Sequence, residues 1–114
     1  MHIKVKIGLR DAAGAPFMGA GAAELLRGVE ASGSLRVAAG GMGMSYSKAH
    51  RLVKTLEAAL GYRALERARG GSTRGGSALT PRGRRFLERY EDLYEDIRSH
   101  AAAALRRAFP GGRP

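Results

Sequence analysis

The side chains best suited to proton transfer near neutrality are three histidines, His2, His50 and His100. They lie on three separate stretches of the chain, with no carboxylate pair or activated nucleophile at useful spacing. Glu91, Asp92, Glu95 and Asp96 form an acidic cluster in which Asp92 and Asp96, four residues apart on a helix, have the spacing to share a hard cation. The same four residues flank Leu93, Tyr94 and Ile97, however, and are better read as the polar side of an amphipathic helix. The segment Gly70-Gly71-Ser72-Thr73-Arg74-Gly75-Gly76 is rich enough in glycine to cradle a phosphate, but it lacks the Lys-Ser/Thr ending of a nucleotide-binding loop and leads into a strand. With no cysteine present, thiolate metal sites, disulfides and cysteine nucleophiles are excluded. No enzyme, metal or cofactor is expected.

What remains is charge. The 114 residues carry 20 Lys plus Arg against 10 Asp plus Glu, a formal +10. Between Ser45 and Tyr90 stand 11 basic residues against three acidic ones, Glu57, Glu66 and Glu88, so this segment holds +8 of the +10. A basic stripe confined to one part of a small domain suits a polyanion, because Lys and Arg at phosphates release condensed counterions.

The elements that must position these residues follow from periodicity and caps. Ile3, Val5, Ile7 and Leu9 alternate with polar residues and predict an edge strand over His2–Arg10. A turn over Asp11–Gly14 and a short return strand over Ala15–Met18 follow. Ala22, Leu25, Leu26 and Val29 predict a first helix from Ala20 to about Ala31, ended by Gly33. Ser34 is placed to cap a short second helix ending near Gly41 or Met42, with Gly43 suited to the turn after it. Ser45 caps a third helix, Tyr46 to about Leu60, whose core stripe is Ala49, Leu52, Val53, Leu56 and Leu60.

The opposite face of that third helix reads Tyr46, Ser47, Lys48, His50, Arg51, Lys54 and Thr55, all hydrogen-bond donors. A short helix, a tight glycine turn and a helix with this face have the layout of a helix-turn-helix whose second helix enters the major groove. Strands around Leu65 and over Ser77–Leu79, joined by the glycine-rich segment, form a wing. Arg69, Ser72, Thr73 and Arg74 are its expected contacts to phosphate or minor groove. Thr80-Pro81 starts a last helix running to about Ala108. Its seam of Phe86, Tyr90, Leu93, Ile97 and Leu105 is too long for so small a domain to cover, which predicts pairing with the same helix of a second copy.

The residues Gly33-Ser34-Leu35, Gly43-Met44-Ser45-Tyr46, Leu56-Glu57, Leu60-Gly61, Arg67, Gly70-Gly71, Gly75-Gly76, Ala78-Leu79-Thr80 and Gly83 resemble the N-terminal DNA-binding domain of ModE-type molybdate-responsive regulators. Through Ser45, Leu56-Glu57, Leu60-Gly61, Arg67 and Leu79-Thr80-Pro81 with Gly83, the chain is also similar, more distantly, to the LysR-type helix-turn-helix. The paired-glycine wing favours the ModE-type form. The resemblance implies a dimeric winged helix-turn-helix on an inverted repeat, with Ser45, Tyr46, Ser47, Lys48, His50 and Arg51 as recognition residues. His50 departs from the aromatic residue frequent in that family, and Gly40-Gly41 departs by weakening the second helix. The molybdate-binding domains of full members are missing, so no oxyanion sensing is assigned and the chain is read as a stand-alone DNA-binding protein.

The expected architecture is therefore mainly α with a small β component, a winged helix-turn-helix over residues 1–109 with a long C-terminal helix and a disordered tail over 110–114. The expected function is sequence-specific regulation of transcription in the cytoplasm by a homodimer on double-stranded DNA, with Ser34, Ser45, Tyr46, Ser47, Lys48, His50, Arg51 and Lys54 on the DNA. An unidentified effector or protein partner is left open, and no membrane association is expected. The competing readings are a nonspecific or architectural nucleic-acid binder and a protein-interaction module on the same scaffold.

Overall fold

The chain runs β1 (Leu9–Arg10), β2 (Pro16–Met18), α1 (Ala20–Ser32), α2 (Leu35–Gly41), α3 (Tyr46–Leu60), β3 (Leu65–Arg67), β4 (Ser77–Leu79) and α4 (Pro81–Ala108), in a computed structural model that describes residues 1–68 and 76–114. The helices start where side-chain oxygens replace missing backbone acceptors. Ser34 Oγ accepts from the Val37 amide, Ser45 Oγ from Lys48 and Thr80 Oγ1 from Gly83, and Pro81 opens α4 where no amide hydrogen is needed. Gly33 and Gly61 end α1 and α3. Gly43, with φ of 67°, makes the left-handed turn that aims α3 away from α2.

The edge strand expected over His2–Arg10 is shorter: only Leu9–Arg10 pairs, antiparallel to Pro16–Met18. The period-two pattern survives in the burial, since Val5, Ile7 and Leu9 are half-buried while Lys4, Lys6, Gly8 and Arg10 are exposed. The partner strand is too short to accompany residues 1–8, and α1 begins two residues after Met18. Extended backbone without a neighbour forms no ladder.

Leu25, Leu26 and Val29 of α1, Leu35, Ala38 and Ala39 of α2, and Ala49, Val53 and Leu56 of α3 meet in one buried cluster, with Leu65, Leu79, Leu87 and Tyr90 closing it from below. The second hairpin pairs Leu65 with Leu79, Glu66 with Ala78 and Arg67 with Ser77. The Ser77 amide also donates to the Gly33 carbonyl at 2.8 Å, which ties the hairpin to the end of α1.

At its root the hairpin meets α4 through backbone. The Thr80 amide donates to the Ala64 carbonyl at 2.9 Å, and the Thr80 hydroxyl donates to the Arg63 carbonyl at 2.7 Å. Gly83 lies against the same peptide: a Cβ there would fall 2.8 Å from the Ala64 Cα and 3.0 Å from its carbonyl carbon, nearer still to the oxygen. Neither side of that contact is a flexible side chain, so only glycine fits.

Over its 28 residues α4 extends about 42 Å, and its buried residues are Gly83, Leu87 and Tyr90. Leu87, fully buried, was not in the seam expected from sequence. Two members of that seam are covered by their own chain: Phe86 sits 6.5 Å from Phe17, and Tyr90 is 4% exposed with its hydroxyl donating to the Ile7 carbonyl at 2.7 Å. Burial raises the Tyr90 phenol above its ordinary pKa. Leu93 and Ile97 are each 39% exposed, Leu105 is half-buried, and nothing in α4 after Tyr90 is buried.

Charge fastens the covered half of α4 to α1. Arg27 donates through two guanidinium nitrogens to Glu91 and through a third to Glu30, and Arg84 reaches Glu30 at 3.1 Å. The fork holds the Glu91 carboxyl below its ordinary value and Arg27 above its own. Both side chains keep more than a third of their surface in water, so the gain to stability is below about 1 kcal/mol. The close packing at Gly83 is the more demanding restraint. Gly83→Ala should lower unfolding stability by about 1–3 kcal/mol in chemical denaturation, from overpacking against backbone; a midpoint equal to the parent's would show that the contact is slack.

Candidate nucleic-acid interface

One side of α3 is buried through Ala49, Val53 and Leu56, which leaves Tyr46, Ser47, Lys48, His50, Arg51, Lys54 and Thr55 exposed on the other. The separation is a consequence of the 3.6-residue turn. Residues expected to contact DNA are thereby brought onto one surface at the N-terminal end of α3. Ser34 and Ser45 have a different primary task, since their oxygens accept from the amides three residues on. Arg69, Ser72, Thr73 and Arg74 lie outside the described residues.

The exposed face is not uniform along its length. Lys48 and Arg51 have no carboxylate within ion-pair distance among the described residues, whereas Lys54 Nζ lies 3.5 Å from Glu57 Oε1. Positive charge is therefore least compensated in the first two turns. The helix N-terminus adds partial positive charge from its free amides to the same end.

Glu57 organises the far end of α3. Its side chain is 10% exposed, and Oε2 accepts from the amides of Ala64 at 2.8 Å and Leu65 at 3.2 Å, with Arg63 Nε 4.0 Å away. One carboxylate thus joins the last turns of α3 to the start of β3. The hairpin then runs back along α3, and the two enclose an open cleft of about 230 Å³. Tyr46, His50, Lys54, Arg63, Arg67 and Ser77 contribute to its lining. The cleft is open and polar, with Lys54, Arg63 and Arg67 set against Glu57 and Glu66, which suits a polar strand better than an apolar ligand.

Sequence reasoning missed three contributors. Arg36 stands on α2 with its guanidinium carbon 4.4 Å above the Tyr46 ring. Its signal was its place two residues past the Ser34 cap, where it is exposed beside the start of α3. Arg63 lies two residues before β3 and Arg67 is its last residue; Arg63 was visible only as part of the net charge, and Arg67 only as a position of the family resemblance. Among the described residues no group of three or more His, Cys, Asp or Glu is arranged to hold a metal ion. No helix described is long and apolar enough to cross a membrane.

Comparison with known proteins agrees with this geometry. The profile of the bacterial regulatory helix-turn-helix proteins of the lysR family matches residues 21–84, from the start of α1 to the first turn of α4. The fold is similar to that of the CbnR DNA-binding domain, solved in complex with DNA, with TM-score 0.56 and 26% identity over 81% of this chain and 95% of that one. It is also similar to VV2_1132, a LysR family transcriptional regulator, with TM-score 0.59 and 19% identity. That match covers 78% of this chain and 29% of the regulator, so the present chain spans less than a third of that protein. A search of curated protein sequences finds no match. Of the two resemblances in the sequence, the more distant, to the LysR type, is the one these matches support, and the winged helix-turn-helix architecture stands with it.

The Glu57 junction generates a test of how this surface is held. Glu57→Ala should cost about 1–3 kcal/mol of stability, because two nearly buried amides lose their acceptor. Amide hydrogen exchange at Ala64 and Leu65 should quicken more than at Leu25; uniform quickening would place the role of Glu57 elsewhere.

Proposed function

Since this chain belongs to the lysR family of bacterial regulatory helix-turn-helix proteins, we propose that it is a sequence-specific DNA-binding transcriptional regulator that reads the major groove with the first two turns of α3. The observation that carries this reading is the exposed run Tyr46, Ser47, Lys48, His50 and Arg51, opposite a buried stripe and free of acidic side chains. Arg51 and Ser47 offer donors of the kind that read base edges, while Lys48, Arg63, Arg67, Arg69 and Arg74 serve the phosphates. The DNA in the CbnR complex supports the same partner here. Within this reading, the paired glycines Gly70-Gly71 and Gly75-Gly76 favour kinship with the ModE-type form.

The regulator acts as a homodimer through the projecting half of α4. Leu93, Ile97, Ala101 and Leu105 recur every four residues on a helix that its own domain leaves open. Antiparallel pairing centred near residue 99 sets Leu93 against the partner subunit's Leu105 and Ile97 against the partner subunit's Ala101. The same register brings Arg106 towards the partner subunit's Asp92. Two reading helices related by a two-fold axis suit an inverted repeat.

Binding to a duplex selected from a random pool, followed by fluorescence anisotropy against scrambled DNA, tests the reading. Arg51→Ala should cost about 1–3 kcal/mol on the selected duplex and little on scrambled DNA, whereas Arg74→Ala should weaken both and reduce the salt slope by about one. Equal losses on both duplexes from Arg51→Ala would make Arg51 a phosphate contact, and equal affinity of the unsubstituted protein for both would make it a nonspecific binder. Replacing Leu93 and Ile97 together by Asp should convert the sedimenting species to a monomer with lower affinity for the selected site; an unchanged sedimentation coefficient would refute the interface.

A further inference from the structure

Three planar side chains from two helices lie side by side at the start of α3. The Arg36 guanidinium carbon lies 4.4 Å above the Tyr46 ring, and the Tyr46 ring lies 6.0 Å from that of His50 at an interplanar angle of 30°. Arg36 and His50 are exposed and Tyr46 is 40% exposed, so burial of apolar surface does not explain the arrangement. No carboxylate among the described residues lies within ion-pair distance of Arg36, so the ring is its closest defined partner. Tyr46 is the first residue of α3, directly after the Ser45 cap, where no preceding turn restrains its side chain.

We propose that Arg36 is a specificity-determining residue that acts by positioning Tyr46, so that Arg36, Tyr46 and His50 meet the DNA as one preorganised unit. The proposal rests on the DNA-binding reading above and deepens it by assigning part of the selectivity to α2. A guanidinium held over a ring keeps N–H groups free to donate to a phosphate or to the acceptors of guanine. The ring beneath it loses rotational freedom before DNA arrives, so less is lost on binding. Tyr46 in turn adjoins His50, four residues on, so that the tyrosine hydroxyl and the imidazole belong to the same exposed patch. Lysine at position 36 would keep the charge without the flat face, which makes Arg36→Lys a discriminating variant.

The test uses the full chain and two labelled duplexes, the selected one and a scrambled one of equal length, with Arg36→Ala, Arg36→Lys, Tyr46→Ala and the double variant Arg36→Ala/Tyr46→Ala. Arg36→Ala should weaken binding to the selected duplex about two- to fivefold more than to the scrambled one, the size of an exposed cation–π contact. Arg36→Lys should restore the affinity for scrambled DNA but not the ratio between the duplexes. The double variant should show the same ratio between the two duplexes as Tyr46→Ala alone, since Arg36 has no ring left to place. Equal losses on both duplexes from Arg36→Ala, full rescue of the ratio by lysine, or strictly additive effects on that ratio in the double variant would each overturn the proposal and reduce Arg36 to a phosphate contact. Failure of the unsubstituted protein to prefer the selected duplex would instead overturn the DNA-reading assignment beneath it. Circular dichroism of each variant, expected to match the parent, separates these losses from unfolding.

Discussion

The peptide unit of Ala64 is the point through which the rest of the molecule is joined. Its amide donates to Glu57 of α3, its carbonyl accepts from Thr80 at the head of α4, and its backbone lies so near Gly83 that no side chain fits between. A residue with 0% exposure thus fixes the end of α3, the root of the hairpin and the start of the long helix relative to one another. A buried polar group is costly when unpaired, so the geometry that satisfies this peptide is strongly favoured over its neighbours. The direction in which α3 presents its outer face follows from it.

Electrostatics complete what packing begins. Several carboxylates are engaged away from the first turns of α3: Glu30 and Glu91 with Arg27, Glu57 with backbone amides, and Glu95 with Arg98. Glu91 and Glu95 are held below the ordinary carboxylate range by these arginines and stay ionised at neutral pH. With acidic groups so occupied, Lys48 and Arg51 face solvent without a local counter-charge, and a polyanion is the partner that would supply one. The LysR-type kinship then explains why this surface sits on a helix-turn-helix.

Much of this was legible in the residues themselves. Ser34, Ser45 and Thr80-Pro81 start helices because short-range chemistry places them there, and Gly33 and Gly61 stop helices for the same reason. The core side of α3 was legible because its apolar residues repeat without ambiguity. In α4, by contrast, Phe86 and Leu87 are adjacent, and periodicity alone could not say which faces the core; the Gly83 contact selects Leu87. The strand expected over residues 2–10 failed for want of a partner, a tertiary matter that alternation cannot reveal. The roles of Glu57 and Arg36 could not be read from the sequence because their partners, the Ala64 amide and the Tyr46 ring, belong to other elements.

The central claim is that the outer face of α3, with Arg36 beside it, is the surface that meets DNA. Titrating the ¹⁵N-labelled protein with a duplex selected from a random pool, at near-physiological salt, addresses it residue by residue. The account predicts that the largest amide shift changes fall on Arg36 and on Ser45 to Lys54, with smaller ones along the second hairpin and little at Leu25 or Leu26. Changes centred on residues 91–105 of α4, or small and uniform over the chain, would contradict it.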